Sequence, residues 1–126
     1  IRLIRSLPEC GAGNQPAKIL VVAPPPIKMA KGRPEVSEKY GCEAGVILSH
    51  EFASVYKDAA EAYHCGYLDA GLYAEAGDAD GVHFTLESHP RLGKAIAEAI
   101  LAMDTNNDGN TDEKHTVDKL KADIEM

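Results

Sequence analysis

An open α/β sheet is the fold class this sequence predicts, and three stretches carry the prediction. "KILVVA", residues 18–23, is a continuous apolar run rich in β-branched residues, the composition of a strand buried on both faces of a parallel sheet. Apolar residues then recur at helical spacing from Phe52 to Tyr63, and "GYLDAG", residues 66–71, offers a second short strand between glycines. Strand, helix and strand in that order form the crossover unit of a parallel sheet.

From the first residue onward, "IRLIRSL" sets Ile1, Ile4 and Leu7 on one side of a helix. It lacks an initiator methionine, so the chain reads as a piece of something longer. "PECGAGNQPAK" clusters Pro, Gly and Asn and marks a connecting loop. Pro24, Pro25 and Pro26 stop the first strand because proline has no N–H to give to a sheet ladder.

Residues 27–48 show no sustained period apart from the apolar patch "AGVIL", and they read as a long loop able to cover a site. Ser49 is placed to cap a helix whose apolar face is Phe52, Val55, Tyr56, Ala59, Ala60 and Tyr63. After the second strand comes the loop "LYAEAGDADGVHF". Leu92, Ile96, Ala99, Ile100 and Met103 then define a second helix face, with Thr85 or Ser88 as its cap and Pro90 in its first turn. Two strands fall short of the roughly four to six of a usual sheet, so the others are expected on residues upstream of Ile1.

The 126 residues fit one domain, and 44% apolar with 26% charged residues is ordinary for a soluble globular chain. A net charge of -7 opposes attraction to phosphate backbones and anionic lipid, which excludes nucleic acid and membrane surfaces as expected partners. No apolar run approaches the roughly 18 residues of a membrane span. Cys10, Cys42 and Cys65 are odd in number and widely spaced, so they read as free thiols, which favours a reducing, cytoplasmic compartment. Whether copies of the chain form a homo-oligomer is left open.

The chemistry concentrates in "DADGVHFTLESHPRLGKAIAEAI", residues 78–100, where Asp80 stands three positions before His83 on the loop after the second strand. That loop lies at the carboxyl edge of the sheet, where open α/β folds bind ligands. A serine hydroxyl is a weak nucleophile until an imidazole accepts its proton, and the imidazole needs a carboxylate to fix its tautomer. In that arrangement Asp80 orients and His83 transfers the proton. Asp-x-x-His by itself is also common on surface turns.

The block "DGVHFTLESHPRLGKAIAEAI" closely resembles the last block of the SGNH hydrolases, or GDSL-type esterases. "KILVVAPPPI" is similar to the penultimate core strand and proline loop of their arylesterase-like members, so the resemblance runs from about Lys18 to Leu101. It implies a flavodoxin-like three-layer α/β/α sandwich with a parallel sheet, of which residues 1–103 are the C-terminal part. It also implies that Asp80 and His83 are the acid and base of a Ser-His-Asp triad, that small acyl esters are the substrates and that no cofactor is required.

His89 matches a common second histidine and carries no assigned role. The family's nucleophile block, Gly-Asp-Ser after the first strand, is not in this sequence. Ser6, Ser37, Ser49, Ser54 and Ser88 are the serines present, and none lies in a glycine-flanked strand-to-helix turn. The expected partner is therefore an N-terminal remainder of the hydrolase that bears the serine.

Residues 104–126 read as a separate acidic loop followed by a terminal helix. "DTNNDGNTDEKH" resembles an EF-hand calcium loop, with Asp104, Asn106, Asp108, the backbone of Asn110 and Asp112 as oxygen ligands and Gly109 at the sharp turn. His115 stands where a bidentate glutamate normally completes the shell. The alternative function is accordingly a catalytically silent calcium-binding or interaction module.

Overall fold

The computed structural model describes residues 1–105. Its first helix, α1 (Arg2–Arg5), is a single turn followed by two 3-10 turns, and it is tied back by the Arg5 guanidinium, which donates to the carbonyls of Tyr63 and His64. The first strand, β1 (Leu20–Ala23), runs into the three prolines. The second, β2 (Gly66–Asp69), pairs with it in parallel, Leu20 opposite Gly66, Val22 opposite Leu68 and Ala23 opposite Asp69. The strand, helix and strand order therefore builds the parallel unit the sequence predicts. β2 is shorter than the apolar segment, because Asp69 accepts from the Gly71 N–H at 2.8 Å and turns Ala70–Leu72 into a 3-10 turn.

Residues 27–48, expected as loop, contain two helices, α2 (Pro34–Lys39) and α3 (Cys42–Ser49). Both are too short to repeat a 3.6-residue pattern convincingly. Pro34 at the first position and Glu35 in the first turn are ordinary start signals for α2. Ser49 ends α3 and does not cap the following helix, α4 (Phe52–Ala62), whose N-cap is Glu51 without a side-chain cap bond.

Side-chain alternation along the strands sorts the helices onto two faces. Val22 and Leu68 pack with Leu92 and Ile96 of the last helix, α5 (Ser88–Thr105), around Ala70, Ala74 and Phe84. Tyr67, one position away and so on the opposite face, donates its hydroxyl to the Ala53 carbonyl of α4 at 2.8 Å. The strands thus lie between α4 and α5, the three-layer arrangement expected.

The fully buried apolar positions are mostly small, including Ala23, Ala60, Ala70 and Ala76. Small side chains let the helices approach the sheet closely. Of the α4 face read from the sequence, Ala60 is buried, whereas Val55 and Tyr56 are exposed. The strand residues are half-buried apart from Ala23, less enclosed than the apolar run predicts.

Candidate active site

The parallel strands bring the loops after β1 and β2 to one edge of the sheet, and the loop after β2 carries Asp80 and His83. It closes on itself by local bonds. Gly77 N–H donates to the His83 carbonyl at 2.7 Å, Thr85 N–H donates to the Glu75 carbonyl at 3.1 Å, and Ala76 and Phe84 form an antiparallel bridge. At the tip Gly81 has φ +73, a left-handed conformation that favours glycine.

Asp80 uses both carboxylate oxygens within three residues. Oδ1 accepts the backbone N–H of Val82 and of His83, each at 2.9 Å, and Oδ2 is hydrogen-bonded to His83 Nδ1. These bonds, the Val82 N–H foremost and the His83 imidazole next, lower the Asp80 carboxyl from its ordinary 3.8 to about 2.

The carboxylate is thus ionised at neutral pH and can only accept. In the neutral imidazole the proton therefore sits on Nδ1, and Nε2 keeps its lone pair. No hydrogen bond among the described residues occupies Nε2. The Asp80 side chain is 18% exposed and that of His83 is 88%, so a sheltered anchor holds an accessible base.

Opposite this loop runs the segment after the prolines. Lys28 N–H donates to the Gly81 carbonyl at 2.8 Å, Lys31 N–H to Asp78 at 2.8 Å and Gly32 N–H to Ala79 at 3.1 Å. Lys28 also pairs with Glu75 at 3.0 Å and Lys31 with Asp78 at 3.3 Å. Three buried serines fix the frame. Ser49 Oγ accepts from Ile27 N–H at 3.0 Å, Ser37 Oγ from Ala30 N–H at 2.7 Å and Ser88 Oγ from Glu75 N–H at 3.0 Å. Ser88, expected as a cap, instead opens α5 and turns its hydroxyl to Glu75 and Thr85.

The structure brings together Asp80 and His83 but no serine with them. Ser6 bonds the Leu3 carbonyl, and Ser54 lies on the exposed side of α4. His89 packs against the Phe84 ring, with centroids 5.7 Å apart. Of the residues read as calcium ligands, Asp104 is paired with Lys18 at 3.2 Å, whereas Asn106, Asp108, Asn110 and Asp112 lie outside the described residues. Among the described residues no cluster of three His, Cys, Asp or Glu could hold a metal ion, and no helix is long and apolar enough to cross a membrane.

The opposing segment falls within the 27–48 stretch expected to cover a site, whereas the roles of Gly81 and the serine anchors carry little signal in the sequence. Only the Asp-Gly pair at 80–81 carried a turn signal.

These observations define a class: a layered α/β domain with an Asp–His loop at the carboxyl edge of a parallel sheet. Solved structures of the same class resemble the chain. The chain is similar to a carbohydrate acetylesterase from Sinorhizobium meliloti, at 31% identity and a TM-score of 0.65 over 81% of this chain and 48% of that one. It is similar to an aryl esterase of M. smegmatis, at 30% identity and a TM-score of 0.65 over 79% of this chain and 47% of that one. A carbohydrate acetylesterase family member from Sinorhizobium meliloti gives 28% identity and a TM-score of 0.64, over 71% of this chain and 40% of that one.

The chain spans just under half the length of these structures. Over that part it has the α/β fold of the SGNH hydrolases, the family to which those esterases belong. No family profile and no curated protein sequence matches the chain.

Proposed function

We propose that this chain supplies the acid–base half of a serine ester hydrolase, with the nucleophilic serine on residues beyond it. The observation that carries the reading is the bond from His83 Nδ1 to the Asp80 carboxylate, on the sheet-edge loop of a chain whose solved neighbours are esterases. The serine Oγ attacks the ester carbonyl carbon while its proton passes to His83 Nε2. Asp80 stabilises the imidazolium so formed.

That proton then goes to the departing alkoxide, leaving an acyl-serine and a free alcohol. Water attacks the acyl carbon as His83 takes its proton, and the proton returns to the serine as the carboxylic acid leaves. The bonds made by Ser37, Ser49 and Ser88 to backbone groups support a nucleophile outside this chain, because their hydroxyls are buried and engaged.

The test grafts residues 18–101 into the M. smegmatis aryl esterase in place of the part they match, and follows hydrolysis of p-nitrophenyl acetate. In a folded, active chimera, His83→Ala is expected to lower turnover by about 10²–10⁴-fold, and Asp80→Asn by a similar order or less. Undiminished turnover with His83→Ala would sink the assignment. In the 126-residue chain itself, no serine is expected to take a fluorophosphonate label. A labelled serine would place the nucleophile inside the chain.

A further inference from the structure

We propose that the segment from Lys28 to Gly32 is a strap that sets the position of the Asp80–His83 pair, and that Ser37 is a positioning residue acting through it. The proposal rests on the acid–base reading only in treating the pair as catalytic. Its geometry stands independently.

The three carbonyls that the strap holds belong to Asp78, Ala79 and Gly81, so they flank Asp80 on both sides. Moving the strap therefore moves the carboxylate. The approach leaves almost no slack. A Cβ on Gly81 would lie 2.0 Å from the Lys28 carbonyl oxygen, and one on Gly32 would lie 3.1 Å from that of Ala79.

The strap has no helix or strand of its own to hold its shape. What holds it is a pair of buried hydroxyls, Ser49 at Ile27 and Ser37 at Ala30. Ala30 falls between the two lysines whose N–H groups bind the loop, so Ser37 acts inside the strap, and Ser49 acts at its entrance. The Lys28–Glu75 and Lys31–Asp78 ion pairs are solvent-exposed, and pairs of that kind fix position weakly. Without the Ser37 hydroxyl the buried Ala30 N–H would have to seek another acceptor, and the strap would shift.

The test reads the Asp80 carboxyl by carbon-detected NMR titration, together with amide hydrogen exchange. In Ser37→Ala the Asp80 midpoint is expected to rise by about one pH unit as its hydrogen bonds loosen. Exchange at Lys31 and Gly32 should accelerate by about tenfold, with Val22 and Leu68 of the sheet unchanged. Ser37→Thr, which keeps a hydroxyl, should restore both readouts.

A folded Ser37→Ala protein with the parent's Asp80 midpoint and the parent's exchange overturns the proposal. If Ser37→Ala does not fold, Gly32→Ala displaces the strap from an exposed position, and an unmoved Asp80 midpoint there is equally fatal. The titration does not depend on turnover. A moved midpoint beside an inactive chimera would count against the esterase reading alone, and an unmoved one beside an active chimera against the strap alone.

Discussion

Asp80 keeps its charge far below the usual carboxylate range because three hydrogen bonds within three residues favour the ionised form. The stability this adds is complete above its ordinary 3.8 and is lost as pH falls through about 2. Asp80→Asn is therefore expected to be less stable than the parent at about pH 5 and to approach it below about pH 2, as urea unfolding at the two pH values would measure. The pair was legible in the sequence because an aspartate that bonds the backbone two and three residues on is a local event.

Gly81 was not legible in the same way, since the carbonyl it must clear belongs to Lys28 on another loop. We expect Gly81→Ala to cost about 2 kcal/mol or more, from left-handed strain and that backbone obstacle together. Gly66→Ala meets side-chain ends rather than backbone, the Met103 sulfur at 2.7 Å and Leu20 Cδ1 at 3.3 Å, and should cost under about 1 kcal/mol because the thioether can swing aside. Thermal unfolding of the two variants checks the contrast.

Among the elements, the strands and the two long helices announced themselves by composition and period, whereas α2 and α3 did not. Six and eight residues hold about two turns, too few for an amphipathic repeat to stand out from a loop. The serines illustrate the same limit from another side. Ser49 precedes a helical pattern and looks like a cap, yet its Oγ accepts the N–H of Ile27, 22 residues away, while its O–H donates to the Val46 carbonyl. Nothing local distinguishes the two uses.

Because Ser88 satisfies a partly buried N–H, Ser88→Ala is expected to destabilise the protein by about 1–3 kcal/mol, more than a surface serine such as Ser54 would. Tyr67→Phe removes the hydroxyl joining the sheet to α4 and should cost about 1 kcal/mol in chemical denaturation.

At the scale of the whole molecule, two strands and a layer of helices on each face reproduce part of a larger sandwich, in agreement with the half-length match to solved esterases. The layered fold was readable because one crossover unit implies it, and among the described residues that unit supplies the whole sheet. The silent calcium module is the competing proposal for the acidic residues. Calcium at about 1 mM is expected to leave the melting temperature nearly unchanged, since the position of the bidentate glutamate holds His115. A rise of several degrees would favour the module.

The strap and its loop meet across a long stretch of chain: Lys28 and Glu75 are 47 residues apart. Contacts that distant carry a loop-closure cost that local turns do not. During synthesis the strap leaves the ribosome first and has to wait, its N–H groups solvated, until the sheet has closed and the later loop arrives. A chain that ended just past Asp69 would hold both strands but would lack the carbonyls of Asp78, Ala79 and Gly81 that the strap binds.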